Sequence, residues 1–508
     1  MASLSERLSA LSPQQRTLLE MKLRHGRESS ERQQIIPQRE ARNFCPLSVD
    51  QEPLWFVAML EPKSPAYNLT SASRIRGPLQ FAVLNRSFNE VVRRHEILRT
   101  TFHAKDGRPY QRIEPVSWFT ILRLDLMSLS EDQQQQALQR TIREQSQQPF
   151  DLSEWPLFRA TLIQFSPTDH AIVTTFHHII TDWWSYDLLW HELTILYKAF
   201  AEHKPSPLPD LKIQYADYVL WERQWLQGKN SESQFSYWKK QLAGADFTVR
   251  LPTDRPRPPV QTDHGKRQYL DPPVSLWDEL RKLCQREKTS LYMTLLAAYF
   301  VLLHRYTAQE DIVVGSPYAN RNRLETEALM GYFLNLLILR GDISGDPTFL
   351  ELLHRVRKMT LGAYNNHDVP LTKLLQEFQR ERDQSRSPLF QVSYVFTNSW
   401  GSGLAQSEGL ALTSIEVDSG VARFDLTLAI RNGEVNPLLI FEYNTDLFND
   451  STISRMMGHF QTLLESIVAH PEQRVSDLPM LSETERRPRA RHAPSWHKAL
   501  PQSQYHLR

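Results

Sequence analysis

Cysteine is nearly absent: the 508 residues hold two, Cys45 and Cys284, far apart and never in a C-x-x-C pair. That excludes a disulfide framework and a cysteine-ligated zinc site, and it makes a reducing compartment the simpler expectation. Glycine is sparse at 17 residues while proline reaches 31, so neither a collagen-like repeat nor a glycine-rich linker architecture fits. Long apolar runs are missing too. No stretch reaches the ~18 residues of a membrane span, and the N-terminus interleaves charge with leucine where a secretory signal needs an apolar core. Lys and Arg number 59 against 58 Asp and Glu, a net charge of +1 that gives no field to gather a polyanion. The expectation is a cytoplasmic protein with neither membrane nor nucleic acid among its partners.

What is present is material for a packed core. Apolar residues make up 41% and charged residues 23% of the chain, and at about 150 residues per domain the length suits two large lobes or three domains. Leu4, Leu8, Leu11, Leu18, Leu19 and Leu23 predict short amphipathic helices broken near Pro13. The charged run from Arg24 to Arg42 predicts a mobile linker, with the globular part beginning near Phe44. Between Phe81 and Phe102, Leu84, Phe88, Val91, Val92 and Leu98 keep helical spacing. Ala171 to His178, AIVTTFHH, is short and rich in β-branched and aromatic residues, so a buried strand ends at the two histidines. Beyond a tight loop, Ser185 can cap a helix bearing Leu189, Leu193, Leu196, Tyr197 and Phe200. Leu251 to Pro259, LPTDRPRPP, cannot continue a helix and reads as a crossing between lobes. A second α/β half follows, with helices over Trp277 to Tyr306, Thr348 to Tyr364 and Val369 to Phe378, and strands at Asp311 to Gly315, Phe390 to Phe396 and Leu438 to Tyr443. Arg486 to Arg508 is basic, free of acids and without apolar period, the pattern of a disordered tail. The expected division is a leader and linker over 1–43, a first lobe over 44–228, a second over 229–482 and a tail over 483–508.

The stretch richest in chemistry is Phe176-His177-His178-Ile179-Ile180-Thr181-Asp182-Trp183-Trp184-Ser185, paired histidines at a strand end with a carboxylate four residues on. A lone histidine more often satisfies a backbone group in a core than it does chemistry, so the surroundings must decide. A metal needs three or four ligands, the spacing here spans a corner, and no cysteine is near, so no metal is expected. G-x-G-x-x-G, G-K-[ST] and G-x-S-x-G are absent, which speaks against nucleotide chemistry and serine hydrolysis.

Further motifs fall in order along the chain. They are Pro46-Leu47-Ser48 through Leu54-Trp55-Phe56, Arg94-His95-Glu96 through Phe102, Tyr215-Ala216-Asp217 through Trp221, Ala319-Asn320-Arg321-Asn322-Arg323, Met330-Gly331-Tyr332-Phe333-Leu334-Asn335, Asn366-His367-Asp368-Val369-Pro370 and Arg382-Asp383 through Leu389. With the paired histidines they make residues 44 to 480 resemble the condensation domains of non-ribosomal peptide synthetases, whose signature is H-H-x-x-x-D-G. The resemblance implies an α/β fold of two chloramphenicol-acetyltransferase-like lobes, a V-shaped pseudo-dimer around a central tunnel with the signature loop at its middle. It implies a monomer whose partners are donor and acceptor peptidyl carrier proteins and an adjacent adenylation domain. It further implies that the chain itself binds no cofactor, the phosphopantetheine arms arriving on the carriers. The acceptor amine would attack the donor thioester to form an amide. Ser64-Pro65-Ala66-Tyr67-Asn68 resembles domains that join an L-configured donor to an L-configured acceptor.

On this reading His178 takes or positions the proton of the acceptor amine, a role that an unperturbed pKa near ~6.5 would suit. Asp182 holds the loop by pairing with a cation such as Arg321, and His177 is structural though counted with the catalytic group. Trp183, Ser185, Gln51 and Asn335 are candidates for substrate binding or the tunnel wall. Two departures bear on activity. Trp183 replaces the signature glycine, which is expected to strain the corner and to obstruct the passage, to reshape an acceptor pocket, or to swing clear. Asp50-Gln51-Glu52-Pro53 replaces the family's Ala-Gln-x-Arg, removing a guanidinium and a backbone donor. The alternatives are a catalytically silent carrier-docking relic, or an acyltransferase or epimerase of the same superfamily.

Overall fold

The computed structural model describes residues 35–40, 43–378, 383–398, 409–433, 436–481 and 485. The helices expected over residues 4–23 and the tail expected over 486–508 lie outside the described residues. Fourteen strands are described: β1 (Phe44–Pro46), β2 (Asn68–Arg76), β3 (Thr100–Lys105), β4 (Arg108–Ile113), β5 (Leu122–Asp125), β6 (Phe158–Ser166), β7 (Asp169–His177), β8 (Gly265–Leu270), β9 (Asp311–Tyr318), β10 (Asn335–Asp342), β11 (Val392–Asn398), β12 (Ala411–Ile415), β13 (Leu426–Asn432) and β14 (Leu438–Asn444). They form a three-stranded sheet β1-β4-β3, a five-stranded sheet β12-β2-β7-β6-β5 and a six-stranded sheet β10-β9-β11-β13-β14-β8.

β7 owes its run of apolar and β-branched residues to burial on both faces. Ile172 and Phe176 enter the main core of the first half, with Phe88, Val91 and Leu189. Ala171 and Val173 point the other way, into a smaller core with Ala137, Leu138 and Ile142 of the helix Glu131–Gln147. Ser130 and Gln133 close a capping box at the start of that helix. In the second half the helix Leu291–Thr307 is apolar on nearly every face and almost wholly buried, packed among the helices Val274–Arg286, Phe349–Asn365 and Asp450–Ala469.

Several expected spans shift. The helix expected to run to Phe102 ends at Arg94; Glu96–Arg99 is a 3₁₀ turn, and Thr100 opens β3. Ile97 and Leu98 are buried in the same core, which is why the apolar spacing carries on past the helix end. The span Trp277 to Tyr306 is two helices, divided where Lys288 takes a φ of 52° and Ser290 caps the second. The proline-rich segment is not the crossing. Val249 and Leu251 lie in the second core, the Asp254 amide donates to Leu447, and Arg257 pairs with Asp425, so the chain has passed over before it.

The linker expected to be mobile is anchored over its described part. Ile36 is buried in the first core, and Arg39 pairs with Asp217 at 2.8 Å and with Glu96. Two later segments also join the first half: Leu329, Met330, Tyr332 and Phe333 pack into its core, and β12 adds to β2 as the edge of its sheet. The approach of β12 is close enough that a Cβ on Gly77 would lie 2.2 Å from the Gly409 carbonyl oxygen.

Ile36→Ala is expected to lower the free energy of unfolding by about 2–4 kcal/mol, the cost of an emptied aliphatic site. Urea denaturation checks this, and an unchanged midpoint would return the segment to the status of a loose linker.

Candidate active site

The corner that carries the histidines is fixed from several sides. His177 is the last paired residue of β7, opposite Asn68, and the His178 amide donates to the Tyr67 carbonyl at 2.8 Å. His178–Ile180 then makes a 3₁₀ turn whose Ile179 and Ile180 are fully buried, so two apolar side chains pin the corner into the core. Gln51 reaches across from the helix Gln51–Leu60 and donates Nε2–H to the Ile179 carbonyl at 2.8 Å.

These contacts define the protonation of both rings. His178 Nδ1 lies 2.7 Å from the Thr181 carbonyl oxygen, which only accepts, so Nδ1 carries the proton and Nε2 presents a lone pair. Nε2 takes no hydrogen bond from any described residue. His177 has the opposite tautomer, its Nδ1 accepting from the Ile179 amide at 3.2 Å. The ring packed edge-on against His178, 5.0 Å between centroids, is that of Tyr332. Burial pushes His178 down to about 3, with the charge of Arg423 acting in the same direction. His177 is pushed down to about 3 as well, by burial first, then by His178, Arg423 and Arg159. The ordinary value assumed from the sequence therefore does not hold. His178 is a neutral acceptor that holds a full proton poorly at neutral pH.

Asp182, not Ser185, caps the helix Trp183–Ala201: its Oδ1 accepts from the Ser185 amide at 2.7 Å. Arg321, from the loop after β9, donates Nη2–H to Asp182 Oδ1 and Oδ2 at 3.0 and 3.2 Å, and the Phe333 amide donates to Oδ2 at 3.3 Å. Arg321 Nη1 donates to the Thr326 and Leu329 carbonyls at 2.7 and 2.6 Å, and the guanidinium lies 4.0 Å from the Phe333 ring centroid. Both charged side chains are sealed from water, at 1% and 3% exposure. Ser185 Oγ accepts from Arg321 Nη2 at 2.9 Å and from the Gly331 amide at 3.0 Å, and lies 2.7 Å from Asp182 Oδ1. The Gly331 backbone can sit there only because it bears no Cβ, which would fall 2.1 Å from the Tyr215 ring.

Of the four residues expected to bind substrate or wall a tunnel, three make hydrogen bonds within the chain. Gln51 and Ser185 brace the corner. Asn335 donates to the His367 and Val369 carbonyls at 2.6 and 2.9 Å. Trp183 is the fourth: its indole is 42% exposed and meets Tyr186 edge-on at 6.0 Å. It is the first residue of a helix and is not among the residues of positive φ, so the corner carries no strain from the missing glycine. The ring contact described for His178 is with Tyr332, and that described for Trp183 is with Tyr186. Sequence reasoning did not single out Tyr332, Tyr215 or Arg423. The first two lie inside motifs of the chain, and Tyr215 donates its hydroxyl to the Tyr332 carbonyl at 2.6 Å, but no spacing marks them. Among the described residues, no three side chains cluster as metal ligands, and no helix is long and apolar enough to cross a membrane.

Residues 41–488 match the family described as the condensation domain. The chain is 43% identical over 443 residues to one of the linear gramicidin synthase subunits of Brevibacillus parabrevis, covering 87% of this chain and 9% of that protein. It is 36% identical over 489 residues to phosphinothricin tripeptide synthetase PhsC of Streptomyces viridochromogenes, covering 96% of this chain and 45% of that protein. The chain thus spans less than half the length of either relative. Among solved structures it is similar to the X-domain from teicoplanin biosynthesis, with a TM-score of 0.79 and 26% identity over 88% of this chain and all of that one. The first condensation domain of the calcium-dependent antibiotic synthetase shares the fold, with a TM-score of 0.72 at 20% identity over 87% of this chain and all of that one.

Asp182→Ala would leave Arg321 buried without its counter-charge and is expected to cost about 3–5 kcal/mol of stability, read from denaturant midpoints. Acidification has a defined sign. The unfolded histidines take a proton near ~6.5 while the folded ones refuse it until about 3, so stability is fully present above ~6.5 and falls as pH drops through that window. The His177→Gln/His178→Gln double variant is expected to show a shallower loss between pH 7 and 5, by up to about 1.4 kcal/mol per pH unit for each histidine removed. Equal slopes in the two proteins would contradict the assigned neutral state.

Proposed function

This chain belongs to the condensation-domain family, and on that premise we propose that it joins a carrier-bound acyl or peptidyl thioester to the amine of a carrier-bound aminoacyl thioester, forming an amide. Its two α/β halves follow the chloramphenicol-acetyltransferase-like plan of that family. The observation that carries the proposal is the His178 imidazole, oriented by Thr181 so that Nε2 keeps a lone pair with no hydrogen-bond partner among the described residues, at a corner clamped by an arginine from the other half. His178 Nε2 accepts an N–H of the acceptor amine and orients the nitrogen lone pair at the thioester carbonyl. Because His178 is neutral and weakly basic, alignment carries most of the rate. Holding two tethered reactants can supply about 7–11 kcal/mol, against roughly 3–5 kcal/mol for a general base. Asp182 and Arg321 act through the loop and do not touch substrate.

Donor and acceptor carrier proteins bring the phosphopantetheine arms, and an adenylation domain is a natural neighbour. The reading puts the reaction in a passage between the lobes 44–228 and 229–482, in a cytoplasmic monomer.

The test mixes the protein with separately loaded donor and acceptor carriers and follows the product by intact mass spectrometry. An amide on the acceptor carrier is expected. Carrier binding without amide would favour a silent docking role, and turnover with a single carrier would favour an acyltransferase or epimerase. His178→Ala is expected to slow amide formation by about 10²–10⁴-fold while leaving it above uncatalysed aminolysis. Collapse to background with the fold intact would refute the division of labour. Trp183→Gly is expected to leave turnover essentially unchanged, since the indole is 42% exposed and its ring contact is with Tyr186; a large gain would show that it obstructs.

A further inference from the structure

One arginine outside every motif of the chain reaches the histidine corner from the second half. Arg423 precedes β13, and its main chain is fixed at the base: Gln261 Nε2 donates to its carbonyl at 2.8 Å, and the Ala422 amide donates to the Asp263 carbonyl at 2.9 Å. Along the side chain, Nε donates to the Ala66 carbonyl at 2.9 Å, and the guanidinium lies 4.6 Å from the Tyr67 ring centroid. Tyr67 is the residue whose carbonyl receives the His178 amide, and its ring lies 6.3 Å from that of His177. The arm is therefore held at its root and at Nε, directly over the residue that anchors His178. Its two Nη groups make no hydrogen bond and no ion pair with any described residue.

Other arginines spend their Nη groups: Arg159, which also has no carboxylate partner, donates to the Gln148 and Pro149 carbonyls at 2.9 and 2.5 Å. Arg39, Arg94, Arg257 and Arg321, all largely buried, face carboxylates at close range. Arg423 pairs with no carboxylate among the described residues; its guanidinium lies on the Tyr67 ring, and its charge is felt by His177, His178 and Tyr332. A half-buried cation held against groups that cannot neutralise it is a standing site for negative charge.

Resting on the amide-forming reading above, we propose that Arg423 is a catalytic residue whose free Nη–H groups stabilise the oxyanion that develops on the donor thioester. The amine lone pair forms the C–N bond while the carbonyl π pair moves to oxygen, where the guanidinium receives the charge. The pair then returns, the C–S bond breaks, and the amine proton held at His178 Nε2 leaves with the sulfur as the free thiol. Arg423 transfers no proton. It is already charged and oriented before the reactants arrive, which is what makes such a donor effective.

The test has two arms. In the binding arm, calorimetry compares a pantetheine-linked phosphonate, tetrahedral and anionic at the carbonyl position, with the neutral planar amide isostere. The native protein is expected to prefer the phosphonate by about tenfold or more; R423Q loses that preference and keeps the affinity for the amide, while R423K retains part of it. Equal binding of both probes by the native protein would overturn the assignment. So would R423Q weakening both probes alike, together with a lowered melting temperature, as a mere clasp between the halves would do. In the kinetic arm, with loaded carriers, R423Q is expected to lower kcat by about 10²–10³-fold with little change in KM. A raised KM at intact kcat would make Arg423 a ground-state anion binder and refute the proposal. If the native protein prefers the phosphonate but makes no amide, the condensation reading fails while the oxyanion site stands.

Discussion

A single buried ion pair holds the site together. Arg321 and Asp182 meet at 3.0 Å with almost no exposure to water, one from each half of the molecule. Such a pair gains little net stability over an apolar substitute, because desolvating two ions offsets their attraction. Its value is directional. Asp182 caps the helix that follows the histidines, while Arg321 spends its other Nη on the Thr326 and Leu329 carbonyls, so the helix start and the Leu329–Phe333 segment are indexed to one another. Gly331 and Ser185 complete the joint, and Tyr332 is thereby delivered against His178.

The same burial that makes the corner rigid changes what its imidazole can do. A histidine in water divides its time between two protonation states near neutrality. Here Thr181 fixes the Nδ1–H, the surroundings refuse the second proton, and one lone pair remains in one direction. The cost is basicity and the gain is orientation. Chemistry that relies on two reactants held in place can use such a group well, whereas chemistry that must strip a proton from a weak acid could not.

Much of this was legible in the residues because local rules governed it. β7 and the helix after it follow from an apolar run, two isoleucines and a cap-forming residue. Which residue caps is another matter: Asp182 and Ser185 are both good caps three positions apart, and only the amide geometry distinguishes them. The Arg321 partnership was readable from motif order. The anchoring of Ile36 and Arg39 was not, since one isoleucine and one arginine in a charged run give no period, and their partners Glu96 and Asp217 come from distant sequence. Arg423 escaped for the same reason: nothing near it in sequence announces that its side chain ends beside Tyr67. Protonation was not legible at all, because a pKa belongs to a surrounding, and a surrounding is made by the fold.

The pairing of β12 with β2 has a consequence for how the molecule is made. A chain leaving the ribosome completes the first half's own strands long before Ala411–Ile415 emerges, so the nascent sheet stands with β2 as an open edge, offering unpaired amides and carbonyls to whatever is nearby. The last strand of the earlier half is thus written in the later one. The first half is not finished until residues 411–415 of the second have been made, and the halves are born as one folding unit.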